Sequence, residues 1–159
     1  MKFKATASNT VKVITTISFL LVPLAVYTII TTPELTTAYR AVLITTFVGL
    51  LVATYLYSIT GYTVEADMVI VNRPLYNVKI KRSDITEHRV LTDEEMKWSI
   101  RTFGVGGLFG YQGRFTNSNI GPMTWYATRR SNYVLLVAGG KNIVLTPVEP
   151  QAFIATLGN

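Results

Sequence analysis

The sequence predicts a mainly-β domain of the α+β class, carried behind a pair of membrane-spanning helices. Three observations predict it. Two long apolar runs without a charged residue fill the first part of the chain. From Gly61 onward the pattern changes to short alternating segments separated by turn residues. The chain then closes on one amphipathic helix. About seven antiparallel strands and a terminal helix make a strongly bent sheet whose opening the helix covers, completing the core.

No Asp, Glu, Lys or Arg occurs from Val13 to Pro33, nor from Ala41 to Val64. The apolar runs inside these gaps, Val13–Ile30 and Ala41–Ile59, are 18 and 19 residues long. As helices they are roughly 27–29 Å long, which matches a hydrocarbon core of about 30 Å. In lipid the backbone must satisfy its own hydrogen bonds, so helix is expected despite many β-branched residues. The polar segment Thr31–Arg40 turns the pair into a hairpin. Residues 1–60 are therefore expected to be a membrane anchor and residues 61–159 a cytoplasmic domain. Lys2, Lys4 and Lys12 precede the first span, Arg40 alone lies between the spans, and Arg73, Lys79, Lys81 and Arg82 follow the second. Basic residues favour the cytoplasmic side, so both termini are expected there, in a multi-pass protein of the cell membrane. A cleaved signal peptide ending near Thr36-Thr37-Ala38 is the alternative reading of the first run. It leaves the C-terminal domain on the same side.

The spans contain no ionisable residue, which argues against a proton relay or ion pathway. Ala41, Thr45, Gly49 and Ala53 recur at four-residue spacing, a small-residue face suited to close helix packing. The first span is the expected partner, and a second copy is the alternative. Pro23 is a candidate kink.

Composition removes several function classes. Apolar residues make up 49% and charged residues 15% of 159 positions, against about 25% charged in ordinary domains. Intrinsic disorder is excluded. There is no cysteine, hence no disulfide, thiolate nucleophile or Cys-type zinc site. His88 is the single histidine, so no multi-His metal centre exists, and no cofactor is expected.

In the C-terminal part, Thr63–Val71 alternates as a strand, and Asn72-Arg73-Pro74-Leu75 is a turn. Val78–Lys81 alternates apolar and basic residues, and Ile85–Leu91 is a further strand. Thr92 with Glu95 three positions on is a capping box, which predicts a short helix. A glycine-rich stretch, Gly104–Phe115, leads into a strand. Met123–Thr128, Tyr133–Ala138 and Asn142–Leu145 are three more, with turns at Ser131-Asn132 and Gly139-Gly140. The last helix begins at Thr146 as cap, with Pro147 in its first position and Glu149 completing a capping box. Phe153, Ile154 and Leu157 form its apolar stripe.

Candidate chemistry is sparse. The glycine stretch fails the dinucleotide spacing, and no Gly-Lys-Ser/Thr follows, so its glycines are expected to permit a bulge or sharp bend. His88, between Glu87 and Arg89, has no nucleophile or metal set beside it. Asp93-Glu94-Glu95 fits an exposed acidic helix start better than a cation site. Arg129-Arg130 is too short a run for nucleic acid. Trp98 and Trp125 are candidates for core packing or for docking a protein. The basic cluster Arg73, Lys79, Lys81 and Arg82, close behind a membrane anchor, is the candidate site for anionic lipid headgroups.

The segments Gly107-Leu108-Phe109-Gly110-Tyr111-Gln112-Gly113-Arg114-Phe115, Trp125-Tyr126-Ala127-Thr128, Val134-Leu135-Leu136 and Ile143-Val144-Leu145-Thr146-Pro147, followed by Phe153-Ile154, occur in order. In this the chain resembles the bacterial pleckstrin-homology (PH)-like domains over about Tyr62–Leu157. The resemblance implies a PH-like split barrel and a membrane-tethered module. It brings with it neither a catalytic residue nor a ligand. The function expected is a non-enzymatic, membrane-anchored binding or scaffolding module whose ligand is a protein or an anionic headgroup, with homo-oligomerisation open. The alternative is an accessory subunit of a membrane complex, held through the hairpin.

Overall fold

The computed structural model describes residues 1–158; Asn159, the last residue of the expected C-terminal unit, lies outside the described residues. Strand β1 (Lys2–Lys4) comes first, then the apolar helices α1 (Asn9–Thr31) and α2 (Thr37–Leu56). Strands β2 (Gly61–Val64), β3 (Met68–Asn72), β4 (Val78–Lys81) and β5 (Ile85–Val90) follow. Then come β6 (Ile100–Gly106), β7 (Tyr111–Asn117), β8 (Gly121–Ala127), β9 (Val134–Ala138), β10 (Lys141–Leu145) and helix α3 (Pro150–Leu157). One sheet has the order β1-β2-β3-β4 and the other β5-β9-β10-β8-β7-β6. The result is a β-rich domain with a C-terminal helix, as expected, but the described residues form ten strands in two sheets that do not close, where about seven in one bent sheet were expected.

Both helices are long and apolar enough to cross a membrane. Each begins with a side-chain cap: Ser8 accepts from the Val11 amide and Thr36 from the Tyr39 amide. These caps extend the helices beyond the charge-free runs at their N-terminal ends, to Asn9 and Thr37. α1 runs through Pro23 without a break.

The first residues are part of the β-domain. β1 pairs antiparallel with β2, placing Phe3 opposite Tyr62. The Phe3 ring meets Phe153 of α3 edge-on at 5.1 Å. The Ser8 amide donates to the Thr128 carbonyl at 3.0 Å, and the Thr128 hydroxyl donates to the Thr6 carbonyl at 3.0 Å. Val11, on the first turn of α1, is buried in the same cluster as Trp125, Phe115 and Tyr133. The strand is only three residues long and ends in Lys, which the sequence offered as charge flanking a span.

The stretch expected as one strand over Thr63–Val71 is the hairpin β2–β3. Its tight reversal at Glu65-Ala66-Asp67 is closed by the Glu65 amide on the Met68 carbonyl. Apolar alternation continues in phase through this turn, which hides it. The helix expected at Thr92 is a succession of turns. Its capping box nevertheless forms: the Thr92 amide donates to Glu95 at 2.9 Å, and the Glu95 amide donates to the Thr92 hydroxyl at 3.3 Å. The last helix begins at Pro150, and Thr146 does not cap it. Thr146 is fully buried and occupied elsewhere. Its hydroxyl accepts from the Thr128 amide, and its amide donates to the Tyr62 hydroxyl at 3.1 Å.

Not all pairing is antiparallel. After β8 the chain crosses to β9, reverses at Gly139-Gly140 (φ 54° and 70°), and returns as β10 parallel to β8. Positive φ at both turn residues suits a two-residue hairpin.

The Tyr62 phenol joins the two sheets by donating to the Tyr126 carbonyl at 2.8 Å. Complete burial pushes its pKa up to about 12, against about 10 unfolded. Its contribution to stability is therefore full below pH ~10 and is lost as pH rises towards 12. We expect thermal unfolding of the detergent-solubilised chain to fall more steeply across this window in the wild type than in Tyr62→Phe. At neutral pH the variant should lose about 1–3 kcal/mol, because the Thr146 amide is left without its acceptor. Parallel alkaline limbs would refute this role.

Candidate functional site

One end of the β-domain is seated on the helices. The Leu75 amide donates to the Leu56 carbonyl at the foot of α2. The Phe109 amide donates to the Thr15 hydroxyl at 3.1 Å. The Phe109 ring sits between Phe19 of α1 (6.0 Å) and Tyr55 of α2 (5.6 Å). The loop between β6 and β7 therefore plugs the base of the hairpin.

This geometry divides the basic cluster. Arg73 lies at the helix-proximal end, just past β3. Its guanidinium is 4.9 Å from the ring centre of Tyr126, 5.8 Å from Tyr57 and 5.9 Å from Tyr76. Tyr57 is the residue on which α2 ends, and its ring meets Tyr76 edge-on at 5.4 Å. The Arg73 amide is held by the Asn77 side chain at 3.0 Å. Nε of Arg73 is buried without a hydrogen-bond partner, and among the described residues no carboxylate pairs with it. Cation–π contact holds such a group in place while its charge stays uncompensated.

Lys79 and Lys81 are exposed on β4, an edge strand of its sheet. Lys81 lies about 10 Å along the strand from Val78, away from the helices. Arg82 is at that far end and is occupied. Its guanidinium donates to the Thr156 and Leu157 carbonyls at the C-terminus of α3, and to Glu65 and Ala66 in the β2–β3 turn. Cations complement a helix C-terminus, so Arg82 fastens α3 to the sheet. The four basic residues are not one patch.

The small-residue face of α2 is not where it was expected. Ala41, Thr45, Gly49 and Ala53 are all exposed, and a Cβ on Gly49 would meet nothing within 4 Å. The half-buried positions of α2 include Arg40, Ile44, Leu51 and Thr54. At 3.6 residues per turn that stripe points about 150° away from the small face. The rotation is set at the hairpin's tip, where Arg40 donates to the Thr32 carbonyl at 2.7 Å. It is set again at the base by the contacts of Tyr55 and Leu56. The small face is therefore turned away from α1.

His88 is half-buried on β5, opposite Leu136 of β9. Of the acidic run, Glu95 pairs with Arg89 at 2.6 Å and Glu94 with Lys97 at 3.5 Å. The Thr92 amide, and then Arg89, hold the Glu95 carboxyl below its ordinary range. Trp125 is fully buried, whereas Trp98 is 82% exposed. The grouping of three tyrosines around Arg73 is the part that sequence reasoning missed. Tyr57 and Tyr76 flank the loop locally, but Tyr126 arrives from a distant strand.

Two open sheets with a terminal helix across them, carrying basic groups and an aromatic cluster, are the frame of a PH-type domain. The family description "Bacterial PH domain" matches residues 60–159, and the chain belongs to that family. PH domains are generally non-catalytic binding modules. No curated protein and no solved structure matches the chain.

Proposed function

We propose that the chain is a membrane-anchored PH-domain module, with both termini cytoplasmic, that engages anionic lipid headgroups at its helix-proximal end. Arg73 carries this reading: an uncompensated guanidinium held among three tyrosines where α2 ends. If α2 crosses the bilayer, that position is the headgroup layer. Aromatic residues favour this layer, and an anionic leaflet attracts each basic group by about 1 kcal/mol. Lys12 on the first turns of α1 lies at the same end.

The test is thermal unfolding of the full chain in nanodiscs of phosphatidylcholine, with and without about one-third phosphatidylglycerol. We expect the anionic discs to raise the wild-type midpoint by a few degrees. Arg73→Gln should remove most of that gain, and the double variant Lys79→Gln/Lys81→Gln should keep it. Equal midpoints in the two lipids, or equal losses from both variants, would overturn the reading.

A further inference from the structure

We propose that the free edge of β6 and the groove beside it receive an extended acidic segment of a partner protein. Among the described residues β6 is the terminal strand of its sheet and pairs only with β7. Natural edge strands are commonly short, charged or covered, because an unpaired edge templates the addition of another strand. This edge is seven residues long and carries Ile100 at 67% and Phe103 at 75% exposure, with Trp98 just before it. Trp98 holds φ 58°. That conformation is costly for a bulky residue, and no burial offsets it here.

Two cavities adjoin at Ile100 and Arg130. One, of about 610 Å³, is bounded by Trp98, Trp125 and Tyr133, and the other, of about 420 Å³, by Arg101, Tyr111 and Phe115. The Trp125 indole N–H is buried and has no acceptor among the described residues. Arg130 lies over the Tyr111 and Trp125 rings at 5.4 and 6.0 Å. Among the described residues, Arg101, Arg130 and Arg114, which stands opposite Phe103 on β7, have no acidic partner. Among the described residues Asp93 is the one carboxylate lining either cavity. A second copy paired edge to edge would bring like charges together. An extended segment alternating acidic and β-branched residues matches both the cations and the apolar side chains. This interaction does not rest on the headgroup reading.

The test uses the full chain in detergent micelles and two fluorescein-labelled decapeptides, (Glu-Val)5 and (Lys-Val)5, followed by anisotropy. (Glu-Val)5 should bind at least tenfold tighter than (Lys-Val)5, and more weakly as salt rises. Phe103→Glu and Arg101→Glu should each weaken it at least tenfold. Both side chains are exposed, so the melting midpoint should be kept, while Arg73→Gln should leave binding unchanged. Equal binding of the two peptides would overturn the proposal, as would undiminished binding by folded Phe103→Glu. A dimer of the chain that Phe103→Glu dissociates would also overturn it, by making the edge a self-interface.

Discussion

Gly104→Ala should lower the melting midpoint of the full chain by about 10 °C, a loss on the order of 3–5 kcal/mol. Gly104 stands directly opposite Gly113 in the β6–β7 pair. Both have positive φ, 106° and 123°. A Cβ on Gly104 would lie 2.1 Å from the Gln112 carbonyl oxygen, and one on Gly113 would lie 2.3 Å from that of Phe103. The obstacle in each case is backbone, so relief requires the strands to separate. Gly121 and Gly139 also have positive φ, but a Cβ at either meets nothing within 4 Å. Alanine there should cost only about 1 kcal/mol, the conformational part alone. Melts of the three alanine variants in one detergent separate close approach from turn geometry. A Gly104→Ala midpoint within about 2 °C of Gly121→Ala would remove the close-approach explanation.

The sequence made this region partly legible. Glycines inside a strand were expected to permit a bulge or sharp bend; the β6–β7 pair has a register shift at Arg101/Phe103, and Gly104 and Gly113 serve a close approach of the two backbones. The helices were legible because lack of charge is a one-dimensional signal, as was the β-rich character of the rest. What stayed hidden depends on pairing across sequence distance. Thr146 has every local mark of a helix cap, yet Tyr62, 84 residues away, holds it in the core. Lys79, Lys81 and Arg82 are close to Arg73 in sequence, but the strand between carries Lys81 and Arg82 to the opposite end of the domain. Tyr126 completes the tyrosine set only because β8 ends beneath the helices. The orientation of the small face on α2 depends on an arginine hooked over the hairpin's tip.

Trp125→Ala should be as damaging as Gly104→Ala, and for a complementary reason. The Trp125 ring is fully buried and stacks on Phe115 with centroids 4.2 Å apart and planes 13° from parallel. It also meets Tyr133 at 5.7 Å and Tyr111 at 6.3 Å. In register it stands opposite Gly113 on one side and Val144 on the other. A large ring beside a glycine fills the volume that the glycine leaves empty, so the indole and the Gly104–Gly113 approach form one packing unit. Truncation should cost about 3–5 kcal/mol. Trp125→Phe should recover most of this, since the indole N–H has no acceptor to lose. Phe115→Ala should cost less in the Trp125→Ala background than in the wild type, because the two rings share one stack. Trp98 supplies the contrast. It is exposed and holds φ 58°, so Trp98→Gly should keep or raise the midpoint. Strictly additive losses for Trp125 and Phe115, measured by denaturant unfolding of the four proteins, would show that the stack is not a unit.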